Sequence, residues 1–245
     1  MSKTAIIIPA RYGSSRLEGK PLIEVGGKPI IQWVYEKAQQ AKYADMIIVA
    51  TDDERIYDCV KGFGGDVEMT ATTHQCGSDR IREVIDRHPE ISYIVNLQGD
   101  EPLIKPESID AVIKNVQDDD KADISTLIRE IKDEDEINNP NLVKCVTDIN
   151  GYALYFSRSK IPFERKSGFC KFYGHLGIYG YKREALIKMT ELAQTPLEKT
   201  ESLEQLRALE NGMKIKTSVV DFVPVGIDTL EDLAKFKEIV AKQLV

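Results

Sequence analysis

The hydrophobic pattern opens with a short aliphatic run, Ala5 to Ile8, that stops in a polar loop rich in glycine, serine and positive charge. Such a run, bounded by turn residues, reads as a buried strand feeding a loop. Behind the loop, Ile30, Ile31, Val34, Tyr35 and Ala38 recur at helical spacing, so the segment from about Lys28 predicts a helix with one inward face. The alternation then repeats. MIIVAT (Met46 to Thr51) predicts a second buried strand, and Thr51-Asp52-Asp53 ends it while capping a helix through DERIYDCVKGF. Gly64-Gly65 closes that helix, VEMT predicts a short strand, Ser78 to His88 another helix, and Tyr93 to Gly99 a third long strand. Strands and helices in alternation predict an α/β fold with a mainly parallel sheet. Such sheets bind ligands beyond the carboxyl ends of their strands. One cleft should therefore gather the loop after Ile8, the Thr51-Asp52 turn and the Gly99-Asp100-Glu101-Pro102 turn.

From about Ala122 the rhythm changes. DISTLIRE, VKCVTD, YALYFSR and GHLGIYGYK follow one another with little helix between them, which predicts antiparallel pairing in an inserted subdomain or edge extension. Asn138-Asn139-Pro140-Asn141 marks a turn inside it, and Phe163 to Lys171 is a polar connection between strands. Helical patterns return from Arg183 and from Pro196, the latter stopped by Gly212. IKTSVV predicts a last strand, and a C-terminal helix runs to about Leu244 with Thr229 as N-cap and Asp232 three residues on.

Composition narrows the function classes. The chain has 245 residues, 42% hydrophobic and 30% charged, which suits one large domain with an insertion. A formal charge of −7 argues against a broad nucleic-acid surface and for a small-molecule ligand. The four cysteines (Cys59, Cys76, Cys145, Cys170) are scattered without metal-ligand spacing, as expected of incidental thiols in a reducing compartment. The first residues carry no signal-peptide pattern, and no apolar stretch approaches the roughly 20 residues that span a bilayer. A cytoplasmic protein without membrane contact is expected. Asp118-Asp119-Asp120 lacks the glycine and glutamate of a calcium loop and reads as a solvated turn.

Against this acidic background the first loop stands out. Arg11, Arg16 and Lys20, with Gly13 and Gly19, can hold a polyphosphate, because glycine lets the backbone approach while N–H groups and cations meet the charge. A P-loop would need G-x-x-x-x-G-K-[ST]; here five residues separate the glycines and Pro21 follows Lys20, and the dinucleotide fingerprint is also missing. Asp100, at the end of an apolar strand, and Asp228, before the last helix, can jointly hold a divalent cation; equally, each can be satisfied locally. In HQCGSDR, Ser78 and Arg80 offer donors for a base, or Ser78 caps a helix. Arg158, His175, Glu204, Gln205 and Arg207 are polar groups whose spacing alone assigns no role.

IIIPARYGSSRLEGKPL, ATDD, NLQGDEP, ALYFSRSKIP, HLGIYGY, SLEQLR and GIDTLEDL, in that order and over nearly the whole chain, resemble the 3-deoxy-manno-octulosonate (Kdo) cytidylyltransferases. The first motif is shared with other sugar-activating nucleotidyltransferases, among which the sialic-acid enzymes are the nearest confusable relatives; SLEQLR with HLGIYGY is more specific to Kdo. The resemblance implies a Rossmann-like nucleotide-diphospho-sugar transferase fold. Residues 1–245 would form a single domain, with an inserted antiparallel dimerisation and sugar-binding subdomain at 127–182. It implies transfer of CMP from CTP to Kdo with release of pyrophosphate, magnesium as cofactor, a cytoplasmic homodimer, and a product used for lipopolysaccharide or capsule. By motif, Arg11, Ser14, Arg16 and Lys20 would hold the triphosphate, and Asp100 and Asp228 the magnesium. Lys20, Arg16, Asp100 and Asp228 would be the catalytic set. Ala10, Ser78 and Arg80 would read cytosine, and Gln98, Arg158, His175, Tyr179, Glu204 and Gln205 would surround Kdo. Relatives usually carry serine and threonine in the base loop where this chain has Cys76 and Ser78. Rival readings are an acidic-sugar enzyme for 8-amino-Kdo or sialic acid, a triphosphate hydrolase or kinase, and a silent nucleotide- or sugar-sensing module.

Overall fold

The computed structural model describes residues 2–13, 17–74, 76–166, 168–223 and 226–243. The chain forms two compact units, Met1–Asp110 with Pro224–Val245, and Ala111–Val223. The segment expected as an insertion, 127–182, lies inside the second.

In the first unit the aliphatic run lies within β1 (Lys3–Ala10), where Ala5, Ile6, Ile7 and Ile8 are fully buried. A two-stranded hairpin, β2 (Glu24–Val25) and β3 (Lys28–Pro29), comes next. The helix expected from Lys28 therefore begins later, as α1 (Ile30–Ala38). The reason is local: proline disfavours helical geometry in the residue before it, and Pro29 itself is extended at ψ 150°. β4 (Met46–Thr51) matches its expected span, and Asp53 caps α2 (Glu54–Gly62) by accepting from Arg55 N–H at 3.0 Å. β5 (Val67–Met69), α3 (Gly77–Arg87) and β6 (Ile91–Asn96) complete the alternation. Strand order is β6-β1-β4-β5, all parallel, with Ile7 opposite Asn96 and Ala10 opposite Thr51. β6 ends at Asn96 rather than Gly99 because the chain begins to turn after Leu97; Glu101 N–H closes that turn on Gln98 O at 3.3 Å. Ser78 does not cap α3; Cys76 holds the N-cap position.

The unit boundary falls within α4 (Pro106–Gln117), a helix absent from the sequence expectations although Ile109, Val112, Ile113 and Val116 form a buried stripe. In the second unit, β7 (Ile124–Ile131) is followed by α5 (Glu134–Asn138), β8 (Lys144–Thr147), β9 (Ala153–Ser157) and β10 (Phe172–Lys182). β7, β10, β8 and β9 pair antiparallel in that order, as the change of rhythm predicted. α6 (Arg183–Glu191), α7 (Pro196–Glu201) and α8 (Gln205–Glu210) precede β11 (Ile215–Val219), which returns parallel to β7.

The chain re-enters the first unit through Ile227 and α9 (Leu230–Gln243). Its start is the expected Thr229–Asp232 pair, with Thr229 N–H to Asp232 Oδ2 at 2.9 Å and Asp232 N–H to Thr229 Oγ1 at 3.2 Å. Ile227, Leu233, Phe236 and Val240 pack with Val25 and Ile30, and Trp33 meets Phe236 edge-on at 5.9 Å. Each such side chain contributes about 1.5–3 kcal/mol on burial, so the last helix is held firmly. No described helix is long and apolar enough to cross a membrane.

Candidate active site

The carboxyl ends of β1 and β6 and the return at Ile227 line a cavity of about 390 Å³. Its wall includes Ala10, Arg11, Lys20, Gln98, Asp100 and Asp228, all predicted site residues. Two backbone features shape it. Gly19 takes φ +66°, a left-handed conformation natural to glycine, and its N–H closes the first loop on Tyr12 O at 2.9 Å. Gly99 passes so near β1 that a Cβ would lie 3.1 Å from Pro9 O.

Asp100 and Asp228, distant in sequence, are joined through the main chain: Ile227 N–H donates to Asp100 O at 2.9 Å. Lys20 bridges their side chains, its Nζ donating to Asp100 Oδ2 at 2.7 Å and Asp228 Oδ1 at 3.1 Å. Burial pulls the lysine pKa down, but the charge and hydrogen bonds of both aspartates outweigh it and hold it above the ordinary value. Glu101, beside them, was visible in the sequence only as a turn residue. Burial, and then the charges of Asp100 and Asp228, push its carboxyl up to about 7.

Arg11 sends Nη2 to His74 O at 2.7 Å and Cys76 O at 3.2 Å, so it ties the end of β1 to the loop before α3. Glu83 holds that loop from the other side, accepting from Ala71 N–H at 2.9 Å and lying 2.5 Å from His74 Nε2. Ser78 is buried on the first turn of α3 and its Oγ has no partner among the described residues. A buried hydroxyl without a partner carries a desolvation cost that a ligand can relieve. Arg80 is fully buried, donating Nη2 to Asp52 Oδ2 at 2.8 Å and Nη1 to Thr70 Oγ1, while its Nε has no partner among the described residues. Asp52 was expected in the cleft as part of the Thr51-Asp52 turn, but its hold on Arg80 was not; Thr70, which also holds Arg80, and Tyr12, stacked under the Arg55 guanidinium at 3.3 Å, were not singled out from sequence. Nothing in spacing marks these contacts, which join segments far apart in sequence. Ser14 and Arg16 lie outside the described residues.

The remaining predicted residues belong to the second unit. His175 sits between Phe156 (centroids 4.9 Å) and Tyr179 (5.4 Å). Its Nε2 is 2.9 Å from Thr126 Oγ1, which is also 2.8 Å from Ile178 O and 3.1 Å from Leu176 O. A hydroxyl has one proton; spending it on a carbonyl leaves the hydroxyl to accept from Nε2–H. Nδ1 is thus the acceptor, and burial holds the imidazole neutral with its pKa lowered to about 3. Burial first, then the charge of Glu204, raises the Tyr179 phenol, which packs against His175. Gln205 is buried at the start of α8. Arg158 lays its guanidinium on backbone carbonyls, with Nε to Glu201 O at 2.7 Å and Nη1 to Pro140 O at 3.2 Å. A larger cavity of about 570 Å³ near Arg129, Glu136 and Phe222 contains none of the predicted site residues.

A parallel α/β sheet whose strand ends carry Arg11, a lysine between two aspartates and a buried hydroxyl is suited to a phosphorylated ligand, and comparison with known proteins gives the class as nucleotidyltransferase. A family model described as cytidylyltransferase matches residues 5–215. A 3-deoxy-manno-octulosonate cytidylyltransferase of Fusobacterium nucleatum is 49% identical over 227 residues, covering 93% of this chain and 92% of its own. One from Thermodesulfovibrio yellowstonii is 51% identical over 243 residues, covering 94% and 95%. The solved structure of a CMP:2-keto-3-deoxy-manno-octonic acid synthetase complexed with CTP superposes with a TM-score of 0.95 at 42% identity, over 99% of this chain and 100% of that one. A cytidylyltransferase of Leptospira borgpetersenii, at 18% identity and TM-score 0.68, shares the fold. The chain belongs to the cytidylyltransferase family, in its 3-deoxy-manno-octulosonate branch.

Proposed function

We propose that the protein transfers CMP from CTP to the anomeric hydroxyl of Kdo. The observation that carries this reading is the convergence of Lys20, Asp100 and Asp228 in a strand-end cavity, in a chain so similar to a synthetase solved with CTP. The hydroxyl oxygen bonds to the α-phosphorus as the bond to the β-phosphate oxygen breaks. Pyrophosphate leaves, and the hydroxyl proton passes to solvent. The protein positions the reactants and meets the charge. Ala10 at the end of β1 and Ser78 on α3 contact cytosine, while Arg80, locked by Asp52 and Thr70, keeps that wall rigid. Lys20 with Arg11 and Arg16 neutralises the triphosphate, and Ser14 adds a hydroxyl donor. Tied to the base loop, Arg11 also keeps base and phosphate subsites in register.

Magnesium fits the donor set. Two carboxylates converge on one cationic group, the Lys20 ammonium, and magnesium accepts a few carboxylates plus phosphate oxygens and water. Asp100 and Asp228 would hold it. When bound, it supplies charge neutralisation at the phosphates and lowers the pKa of a coordinated hydroxyl. For the sugar, neutral His175 accepts a hydroxyl hydrogen bond at Nδ1, and Tyr179, Glu204 and Gln205 complete the polar surroundings. Arg158, braced on carbonyls, contributes positive charge toward the sugar carboxylate.

Exposed Leu154, Phe163 and Phe169 in the 127–182 segment support a homodimer through that region. Cysteines that are free (Cys59, Cys76, Cys145 and Cys170) support a reducing, cytoplasmic setting. The product would feed lipopolysaccharide or capsule assembly. The test is pyrophosphate release from CTP and magnesium with Kdo, 8-amino-Kdo or a sialic acid. Release is expected with Kdo and should fall by orders of magnitude in Asp100→Ala and Asp228→Ala; release with a sialic acid alone overturns the assignment.

A further inference from the structure

Lys20 lies between the two carboxylates assigned to the metal. Its Nζ is 2.7 Å from Asp100 Oδ2 and 3.1 Å from Asp228 Oδ1, and its side chain is 12% exposed. A divalent cation bonds carboxylate oxygens at about 2.1 Å. On these oxygens it would occupy the position that the ammonium takes, and two cations cannot share it. The lysine is also set to move. It opens a short 3-10 turn, Lys20–Leu22, at the end of the first loop, whose Arg11 stays bound to the base loop and whose Gly19 is tied to Tyr12. The backbone is therefore held while a flexible four-carbon stem carries the charge. A triphosphate arriving in this basic loop offers the ammonium oxygens at least as attractive as the aspartates.

We propose that Lys20 is an exchange cation: without nucleotide it neutralises Asp100 and Asp228 and competes with the divalent metal for them, and the CTP triphosphate draws it off, so that metal and nucleotide bind cooperatively. The proposal rests on the reading that these aspartates hold the metal. Its consequence is order. A metal ion arriving alone finds its ligands already neutralised, whereas one arriving with CTP finds them released. By linkage, the metal tightens CTP by the same factor as CTP tightens the metal.

The test is Mn²⁺ binding in the absence of nucleotide, read from the electron paramagnetic resonance signal of free Mn²⁺. The proteins are wild type, Lys20→Met, Lys20→Arg and the double variant Lys20→Met/Asp228→Asn, each first shown to be folded by circular dichroism. Lys20→Met should bind Mn²⁺ at least tenfold more tightly than wild type. Lys20→Arg, which keeps the bridging charge, should show no such gain, and adding Asp228→Asn to Lys20→Met should abolish it. Equal or weaker binding by Lys20→Met overturns the exchange while leaving the metal assignment standing if Asp228→Asn still weakens that binding. Tighter binding that survives Asp228→Asn overturns both, because the metal is then held elsewhere.

Discussion

Replacing Arg207 with methionine tests how the second unit presents its polar residues. Arg207 belongs to the SLEQLR motif, yet it does not join the predicted cluster. Its Nε and Nη2 donate to Glu198 at 2.8 and 2.6 Å, and Nη1 donates to Leu192 O at 3.1 Å. The two side chains are only 11% and 6% exposed, so the pair is nearly desolvated. Removing one partner of such a pair costs about 3–5 kcal/mol, because the other charge stays buried. Glu198 keeps one hydrogen bond, from Thr195 N–H at 3.1 Å in the α7 capping box, which places the cost near the lower end, about 3 kcal/mol. For a chain of this length that is a fall in Tm of roughly 6–12 °C. Differential scanning calorimetry is the right assay, since two compact units need not melt in one transition. Glu204 and Gln205 sit at the start of α8, which this ion pair anchors, so KM for Kdo should rise more than kcat falls. The double variant Glu198→Leu/Arg207→Met leaves no buried charge and should recover most of the lost Tm. A single variant melting within about 2 °C of wild type, or a double variant melting no higher than the single one, would show that the pair is not an anchor.

Ser78→Ala should raise KM for CTP about five- to thirtyfold, the loss of one hydrogen bond of roughly 1–2 kcal/mol. It should not lower Tm, because Oγ has no partner to lose among the described residues; an unchanged KM with a lowered Tm would reverse that assignment. His175→Gln bears on pH. The folded imidazole titrates far below its ordinary value, at about 3, so on acidification the unfolded chain takes up a proton near pH 6.5 that the folded chain refuses. Stability from this residue is present above pH 6.5 and is lost as pH falls toward 3. The ring keeps partial solvent access, so about 1–2 kcal/mol between pH 7 and 5 is the expected scale. The fall in Tm over that range should be smaller in His175→Gln than in wild type, and equal falls would refute the neutral, enclosed imidazole.

Much of the fold is legible because its signals are local. The Ala5–Ile8 run, MIIVAT and the Thr229–Asp232 cap each depend on residues within a few positions of one another, and β4 and the α9 start fell where the pattern placed them. α4 was missed although its apolar stripe is regular, and α1 began late because Pro29 imposes an extended start. For the candidate site, the motifs of the first loop, QGDEP and GIDT named Lys20, Asp100 and Asp228, all of which line one cavity. What escaped were the holders: Asp52 and Thr70 on Arg80, Glu83 on the base loop, Thr126 on His175. Each acts through a contact between segments far apart in sequence, which leaves no periodic trace.

The sequence by itself determined the alternation of strands and helices, the switch to antiparallel pairing after Ala122, and the residue types able to meet a triphosphate and a cation. Hydrophobic period and turn chemistry are properties of neighbouring residues, so they survive without coordinates. Only the tertiary structure decided that Lys20 bridges Asp100 and Asp228 and that Arg11 holds the base loop. It alone showed that Arg158 rests its guanidinium on backbone carbonyls, that Arg207 pairs with Glu198, and that His175 stands beside Thr126. Those outcomes depend on distances of 2.6–3.1 Å between groups brought together by strand register and helix packing. A hydrogen bond or ion pair a few ångströms longer would give the same sequence a different chemistry.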